Sequence, residues 1–213
     1  MIKLIQGNDA NQHPAHIAQM FRLRARAFRD RLDWDVKVVD GEERDSFDAL
    51  NPLYVLSVDS VGRVVGSARL LQTTGPNMLA NVFPQLLPSG TTIRSPLVWE
   101  STRFCVDTEA SPPRAATGLS PASGEIMASE IEIGLEAGLT HIVTVVDVRM
   151  ERILRRSGCG FERLAPAVRI GRVLSVAGLI EVSTAVLGSI RNAHRLGEEL
   201  AMPPSAMAQN VAA

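Results

Sequence analysis

The sequence predicts an α/β fold built as a single domain. Two runs rich in β-branched residues, 54–58 and 64–71, flank a turn containing Gly62, the pattern of an antiparallel hairpin. Further along, a helix with apolar residues at every fourth position, a β-branched strand and a second helix follow one another, which is typical of helices packed on a sheet. With 213 residues, 46% of them hydrophobic, the chain can bury one sizeable core.

The composition excludes several classes of protein. The formal net charge is -1, so there is no overall field to attract nucleic acid or an anionic membrane. Cys105 and Cys159 lack CxxC spacing and the four histidines lack ligand spacing, so no metal site is predicted. The N-terminus lacks the apolar region of a signal peptide, and no apolar run is long enough to span a bilayer. We therefore expect a cytoplasmic protein.

The first part of the chain predicts a short strand, a helix and an acidic loop. The strand begins at Ile2, and Pro14 suits the first turn of a helix that runs to about Asp30. Helix periodicity alone places Arg24 on a solvated face. Residues 31–51 lose periodicity and hold several acids and two aromatic rings, so they predict a long ordered loop of the kind that often has a function.

The second half predicts alternating helices and strands. Ser123 is a suitable N-cap for a helix that ends at Gly138, and a buried strand follows. Asp147 can cap the next helix, which ends at Gly158. A closing helix is expected over Ser183–Leu200, and the Pro-containing residues 202–213 are expected to form a flexible tail.

The stretch Val98–Phe104 places a carboxylate and a guanidinium inside an apolar run that should be a buried strand. Strand alternation sends Glu100 and Thr102 to one face and Arg103 to the other, so bringing both charges to one cleft requires a bulge. An unpaired buried charge is costly. These residues alone are compatible with either a structural ion pair or a functional site.

Two further groups of charges stand out. Arg69 lies inside a predicted strand, and its natural counter-ions within this region are Asp45 and Asp48. The helix after Asp147 carries a concentration of basic residues, namely Arg149, Arg152, Arg155 and Arg156. Such a run is either an ordinary solvated face or a docking surface for an acidic carrier or for coenzyme phosphates.

A set of charged, aromatic and turn residues, taken in order along the chain, resembles the signature of the acyl-homoserine-lactone synthases, the LuxI-type autoinducer synthases. The matching positions are Arg24, Phe28, Trp34, Glu43, Asp45, Asp48, Asn51-Pro52, Arg69, Thr74-Gly75-Pro76, Met78-Leu79, Phe83-Pro84, Trp99-Glu100 and Arg103-Phe104. The match is densest between Arg24 and Phe104. One departure is Thr102, where members of the family more often have serine.

The resemblance implies a single α/β/α sandwich domain over residues 1–201, with a mixed, mostly antiparallel central sheet similar to the acetyltransferase (GNAT-like) fold. The implied reaction acylates the amine of S-adenosylmethionine from an acyl thioester and closes a lactone, releasing methylthioadenosine and making a quorum-sensing signal. The acyl donor is acyl carrier protein or acyl-CoA. No cofactor, metal, nucleic acid, membrane or obligate protein partner is implied.

The resemblance also implies roles for the residues. Glu100 is the candidate general base, through a water molecule, and it forms the catalytic set with Thr102 and Arg103. The residues expected to bind S-adenosylmethionine or to form its charge network are Arg24, Phe28, Trp34, Glu43, Asp45, Asp48 and Arg69. The expected acyl pocket comprises Met127, Val143, Thr144, Val145 and Leu154. In the family, threonine at the position of Thr144 accompanies 3-oxo acyl chains, although threonine is also ordinary in a core strand.

Two competing hypotheses remain. An N-acyltransferase of the GNAT type acting on another amine would have a glycine-rich pyrophosphate loop at the start of a helix, and the sequence contains no such loop. A non-catalytic binding protein could keep the fold, but it would have no need for Glu100, Arg103 and the acidic loop.

Overall fold

The computed structural model describes residues 1–114 and 116–197. The strands in these ranges are β1 Ile2–Gln6, β2 Val38–Val39, β3 Glu42–Glu43, β4 Leu53–Val58, β5 Val64–Gln72, β6 Val98–Val106, β7 His141–Asp147, β8 Glu162–Arg163, β9 Val168–Ile170 and β10 Val173–Glu181. The α-helices are α1 Pro14–Ala25, α2 Met78–Asn81, α3 Pro121–Glu136, α4 Val148–Arg156 and α5 Thr184–His194. The fold is α/β with a mixed, mostly antiparallel sheet, as predicted.

The chain divides into two compact units. The first comprises Met1–Leu71 and Ser101–Ile126, and the second comprises Gln72–Glu100 and the described residues from 127 to 197. The extent of the predicted domain, 1–201, stays a prediction, and the expected tail, 202–213, lies outside the described residues.

In the first unit the strands follow the order β1-β4-β5-β6. β1 pairs antiparallel with β4, and β4 pairs antiparallel with β5, so that Tyr54 lies opposite Arg69. Gly62, in the turn between β4 and β5, has a φ of +84°, which confirms the predicted hairpin. The apolar core of this unit includes Phe21, Phe28 and Leu56.

The predicted helix from Pro14 is confirmed, because α1 continues into a π-helical turn, Arg26–Arg31. The predicted loop that follows contains more structure than expected. β2 and β3 pair antiparallel around Asp40 and Gly41, whose φ angles are +51° and +78°. Positive φ at both turn residues is the type I′ geometry that Asp-Gly favours.

In the second unit β10 pairs antiparallel with β7, β8 and β9. β7 and β10 run antiparallel, with Val145 opposite Ala177. Asp147 accepts hydrogen bonds from the Arg149 and Met150 amides, which confirms it as the N-cap of α4. A buried apolar cluster forms from Leu79, Leu86, Leu87, Val143 and Ala177.

Two predicted helix boundaries are wrong. Ser123 is not an N-cap, because α3 already begins at Pro121, and proline is well suited to a first helical turn. The Ser123 hydroxyl instead donates to the Ser120 carbonyl at 2.7 Å. Ser183 does cap α5, but this helix ends at His194 rather than Leu200, because Arg195 is left-handed with a φ of +52°.

None of the helices in the described part of the chain is long and apolar enough to cross a membrane.

Candidate active site

Six charged side chains of the first unit form one cluster, which we call the charge network. It consists of three arginines and three carboxylates, Arg24, Arg69, Arg103, Glu43, Asp45 and Asp48. The Arg24, Arg69 and Glu43 side chains are each only 1% exposed. Because each buried charge has opposite charges as partners, the cluster avoids the penalty of an isolated ion.

Arg24 connects α1 to the acidic segment that follows it. Its Nε donates to Glu43 at 2.5 Å, and its Nη1 and Nη2 donate to the two oxygens of Asp48 at 2.8 and 3.0 Å. The prediction of a solvated helix arginine is therefore wrong, since Arg24 is fully buried. Helix periodicity does not reveal that the chain returns to cover this face with carboxylates.

The two aspartates of the charge network are placed by a local turn. Asp45 caps the 3₁₀ turn Ser46–Ala49, accepting a hydrogen bond from the Phe47 amide, while the Asp45 amide donates to Asp48. This reciprocal arrangement is a capping box, and the spacing of two acids three residues apart is its sequence pattern. The turn thus fixes the positions of both carboxylates.

Arg69 and β6 complete the network. Arg69 donates to both oxygens of Asp45 at 2.5 and 2.9 Å, which confirms the counter-ion predicted from the sequence. Its Nε donates to the Thr102 hydroxyl at 3.0 Å. Arg103 donates to Glu43 at 3.0 Å and lies 2.8 Å from Asp45.

Adjacent residues of a regular strand point to opposite faces. Thr102 nevertheless contacts the charge network through Arg69, and its neighbour Arg103 is part of that network. The backbone explains this, because Arg103 has a φ of +53° within β6. This left-handed conformation is uncommon for a residue with a side chain, and it supplies the irregularity that the sequence predicted for this strand. Such local strain persists only where surrounding contacts hold it, and the contacts of Arg103 do so here.

The network shifts the titration of its acids. Burial alone would raise the pKa of Asp48, but the hydrogen bonds and charge of Arg24, with the charge of Arg69, outweigh burial and hold that pKa well below its usual range. The pKa of Asp45 is likewise lowered, because Arg69 and Arg103 outweigh its burial. Burial and the neighbouring Asp48 raise the pKa of Tyr54, whose hydroxyl donates to that carboxylate. Asp45 and Asp48 are therefore ionised at neutral pH.

Two aromatic residues of the predicted site lie beside these charges. Phe28 and Trp34 stack with ring centroids 5.2 Å apart, and the Arg103 guanidinium lies 5.4 Å from the Phe28 centroid. The indole nitrogen of Trp34 is buried and has no hydrogen-bond partner among the described residues. The predicted aromatic residues thus form a stacked pair in contact with a network arginine.

Glu100 belongs to the second unit and is fully buried. Its two carboxylate oxygens accept hydrogen bonds from the Met78 and Leu79 amides at 2.8 and 2.6 Å. These amides open α2, and the first amides of a helix have no partner within the helix. Glu100 is therefore held by backbone donors in a fixed orientation.

Two residues that support Glu100 were missed from the sequence. Asn77 is the N-cap of α2, and Thr73 ties the same segment to the carbonyls of Ser95 and Val98. Asn is among the preferred N-cap residues, so its position directly before Met78-Leu79 could have revealed the cap. The contact of Glu100 with the first amides of α2 has no local sequence signal, because Glu100 comes from a strand further along the chain.

The expected acyl-pocket residues do not all share one face. Val143 and Val145 pack with Leu79 and Ala177, whereas Thr144, between them in β7, points to the opposite face. Met127 lies 3.8 Å, sulfur to sulfur, from Cys159. A groove of about 420 Å³ in this unit involves none of the expected residues; its lining is Leu139, Thr140, His141, Gly160, Glu162, Leu179, Glu181 and Val182. The acyl pocket stays a prediction.

The four arginines of the predicted docking surface, Arg149, Arg152, Arg155 and Arg156, are exposed on α4. Arg155 is not freely available, because it shares the buried Glu151 carboxylate with Arg163 at 3.0 and 2.6 Å. These ion pairs join α4 to β8. Arg155 therefore has a structural role.

Nowhere in residues 1–114 and 116–197 do three or more His, Cys, Asp or Glu side chains gather in an arrangement that could hold a metal ion. Cys105 and Cys159 are both buried and unbridged. Burial raises the pKa of the Cys159 thiol to about 12, so this sulfur is unreactive at neutral pH.

The fold places the protein in a structural class. It is the acetyltransferase-like α/β fold, shared with FeeM, an N-acyl amino acid synthase from uncultured soil microbes, at a TM-score of 0.57 over 85% of this chain and 95% of that one. The identity to FeeM is 13%, so this likeness concerns the fold alone.

The family follows from closer matches. The model of the autoinducer synthase family matches residues 8–190. An acyl-homoserine-lactone synthase of Rhizobium radiobacter is 44% identical over 179 residues, which are 84% of this chain and 84% of the relative. The crystal structure of the AHL synthase LasI has a TM-score of 0.78 and 32% identity, covering 90% of this chain and 94% of LasI. The chain belongs to the autoinducer synthase family.

Proposed function

We propose that this protein is an acyl-homoserine-lactone synthase that acylates the amine of S-adenosylmethionine and then lactonises the product. The observation that carries the proposal is the charge network, because all six of its residues belong to the family signature and three of their side chains are almost wholly buried. Burying so many charges is costly, and a fold retains them where a site requires fixed charges in a dry environment.

In the first step, the nitrogen of S-adenosylmethionine attacks the thioester carbonyl carbon. A nitrogen–carbon bond forms, the carbon–sulfur bond breaks, and the donor leaves as a thiol. The amine must first lose a proton, and Glu100 takes it through a water molecule. The Met78 and Leu79 amides orient its two carboxylate oxygens.

The tetrahedral intermediate requires hydrogen-bond donors for its oxyanion. We assign this role to backbone amides of β6 around Thr102, where the left-handed Arg103 interrupts the regular strand geometry. The Thr102 side chain serves a different purpose, since its hydroxyl is bonded to Arg69.

In the second step, the methionyl carboxylate attacks its own Cγ, and the bond from Cγ to the sulfonium breaks. The products are the lactone and neutral methylthioadenosine. This intramolecular step is accelerated mainly by holding the chain folded. Phe28 and Trp34 are suited to pack on the adenosyl group or the sulfonium, and the charge network supports them through the contact of Arg103 with Phe28.

The acyl donor is acyl carrier protein or acyl-CoA, and it docks on the exposed arginines of α4. The exposed guanidinium groups of Arg149, Arg152 and Arg156 suit an acidic carrier or coenzyme phosphates. Arg155 also binds Glu151. The acyl chain is bound among Met127, Val143, Thr144, Val145 and Leu154. Because both substrates are intracellular metabolites, the enzyme works in the cytoplasm, and it needs no additional cofactor.

The test is a product assay. The purified protein is incubated with S-adenosylmethionine and a panel of acyl carrier protein and acyl-CoA thioesters, and products are identified by mass spectrometry. We expect methylthioadenosine and an acyl-homoserine lactone in equal amounts. S-adenosylhomocysteine is the matched control, because it has the amine but no sulfonium leaving group and should release no lactone.

The same assay distinguishes the competing N-acyltransferase hypothesis. An enzyme that only acylates amines would form an amide without releasing methylthioadenosine. That result, or the absence of product with every donor, would contradict the proposed function.

A further inference from the structure

The carboxylate of Glu100 is bound by the first amides of a short helix, α2. One oxygen faces the Met78 amide and the other faces the Leu79 amide, so the plane of the carboxylate is defined by two donors. The direction of these donors depends on how α2 begins. The placement of the first turn of α2 therefore contributes to the orientation of Glu100.

Asn77 determines that first turn. Its Oδ1 accepts from the Ala80 amide at 2.9 Å, which satisfies the next unpaired amide after those bound by Glu100. Its Nδ2 donates to the carbonyls of Gly75 and Thr73 at 3.0 and 3.4 Å. The side chain is 3% exposed, and it spans the chain on both sides of the turn.

The segment is also fastened to the start of β6, the strand that carries Glu100. The Thr73 hydroxyl donates to the Val98 and Ser95 carbonyls at 2.7 and 2.9 Å and accepts from the Ser95 amide at 3.1 Å. Thr73 is 1% exposed. Asn77 therefore connects Thr73, which is hydrogen-bonded to the start of β6, with the Met78 and Leu79 amides that bind Glu100.

We propose that Asn77 is a positioning residue for the reaction, which acts by aiming the Met78 and Leu79 amides at the Glu100 carboxylate. This inference rests on the proposed function, in which Glu100 is the base. Asn77 itself contacts no reacting atom in this account. Its loss leaves Glu100 in place but loosens the two amides that orient its carboxylate, and small displacements of a catalytic group reduce rates by about 10- to 100-fold.

The decisive variants are Asn77→Ala and Asn77→Ser. Alanine removes the cap oxygen and the donors, and serine restores an N-cap oxygen. We expect Asn77→Ala to lower kcat at least about 10-fold while KM for S-adenosylmethionine stays within about 2-fold. Asn77→Ser should recover kcat to within about 3-fold of the unmodified protein. Ser183→Ala is the matched control, because it removes the N-cap of α5 and should leave kcat unchanged.

A double variant tests whether Asn77 acts through Glu100. In the Glu100→Gln background, Asn77→Ala should reduce kcat no further, since the group that it positions is already lost. An equal loss in both backgrounds would overturn the proposal. So would a kcat within about 2-fold of normal in Asn77→Ala, or an equal loss in Ser183→Ala, which would indicate general destabilisation.

Amide hydrogen exchange gives a readout that does not depend on activity. The Met78 and Leu79 amides should be protected in the unmodified protein and should lose protection in Asn77→Ala. Unchanged protection would contradict the positioning role. If the unmodified protein formed no product with any donor, the proposed function would fail, whereas the exchange measurement would still test how Asn77 holds Glu100.

Discussion

At the scale of single residues, the arginines of the charge network are distinguished by their burial and not by their charge alone. Arg24 and Arg22 lie on the same helix, yet the Arg24 side chain is 1% exposed and the Arg22 side chain is 58% exposed. Arg24 binds two carboxylates through the fork of its guanidinium, a geometry that lysine cannot reproduce. Arg22 lies 3.7 Å from Glu42.

We predict that Arg24→Met lowers the free energy of unfolding by about 3–5 kcal/mol, because Glu43 and Asp48 would remain buried without this partner. Arg22→Met is the matched control and should change it by less than about 0.5 kcal/mol, as for other exposed ion pairs. Urea denaturation of both variants measures the difference. If both variants lost the same free energy of unfolding, the buried ion pairs of Arg24 would stabilise the protein no more than an exposed arginine does.

The residues of this site differ in how far the sequence could predict them. The pairing of Arg69 with Asp45 was predictable, because a strand arginine near an acidic loop has few other partners. The burial of Arg24 was not predictable from periodicity, because the covering carboxylates come from a segment without periodicity. Asn77 was missed because its role depends on Glu100, which lies 23 positions later in the chain.

At the scale of elements, β8 is a two-residue strand held beside β10 by close backbone approach. Gly178 of β10 lies opposite Arg163, and a Cβ placed there would come within 2.3 Å of the Phe161 ring and 2.7 Å of the Glu162 carbonyl oxygen. The ring could move, but the carbonyl belongs to the paired strand. Glycine is therefore required at this position by packing.

We predict that Gly178→Ala destabilises the protein by about 1–3 kcal/mol, the usual cost of overpacking. Gly188→Ala in α5 is the control, since a Cβ there meets nothing within 4 Å. It should stabilise the helix by about 0.5–1 kcal/mol. Thermal unfolding measures the difference between the two variants. Equal melting temperatures would contradict the claim that packing requires glycine at position 178.

The elements themselves were predicted where short-range signals were strong. The hairpin of β4 and β5 followed from Gly62, and the cap of α4 followed from Asp147. The β2–β3 hairpin was missed although Asp40-Gly41 signals it, because each of its strands has only two residues and shows no alternation. Ser123 was misassigned because Pro121 can start the same helix one turn earlier.

At the scale of the whole molecule, stability should depend on the ionised acids of the charge network. The pKa of Asp48 and that of Asp45 both lie below the ordinary value of 3.8 in the folded protein. A lowered folded pKa gives stability that is fully present above the unfolded pKa and is lost as the pH falls through the folded value. The loss should therefore begin near pH 4 and continue below it.

We predict that the free energy of unfolding, measured with urea at a series of pH values, falls steeply below about pH 4. Asp45→Asn removes one of the responsible carboxylates and should make this fall shallower. Asp9→Asn removes a carboxylate outside the network and should keep the original profile. A steep fall that persists unchanged in Asp45→Asn would show that other acids govern acid stability.

The overall class of the molecule was predictable because hairpins, helix caps and a dense signature agree with one another. The α/β fold, the mostly antiparallel sheet and the family were all confirmed. The acyl pocket was not defined, because Val143 and Val145, chosen for apolar character, share one face of β7, whereas Thr144, chosen from the resemblance, lies on the other.

The most direct test of the central claim is the turnover of Glu100→Gln beside its affinity for S-adenosylmethionine. If Glu100 is the base, release of methylthioadenosine should slow by about 10²-fold or more, while Kd for S-adenosylmethionine stays within about 3-fold. Glu162→Gln, which alters an exposed glutamate of β8, should retain full turnover. Turnover by Glu100→Gln equal to that of the unmodified protein would contradict the claim that this buried carboxylate deprotonates the amine.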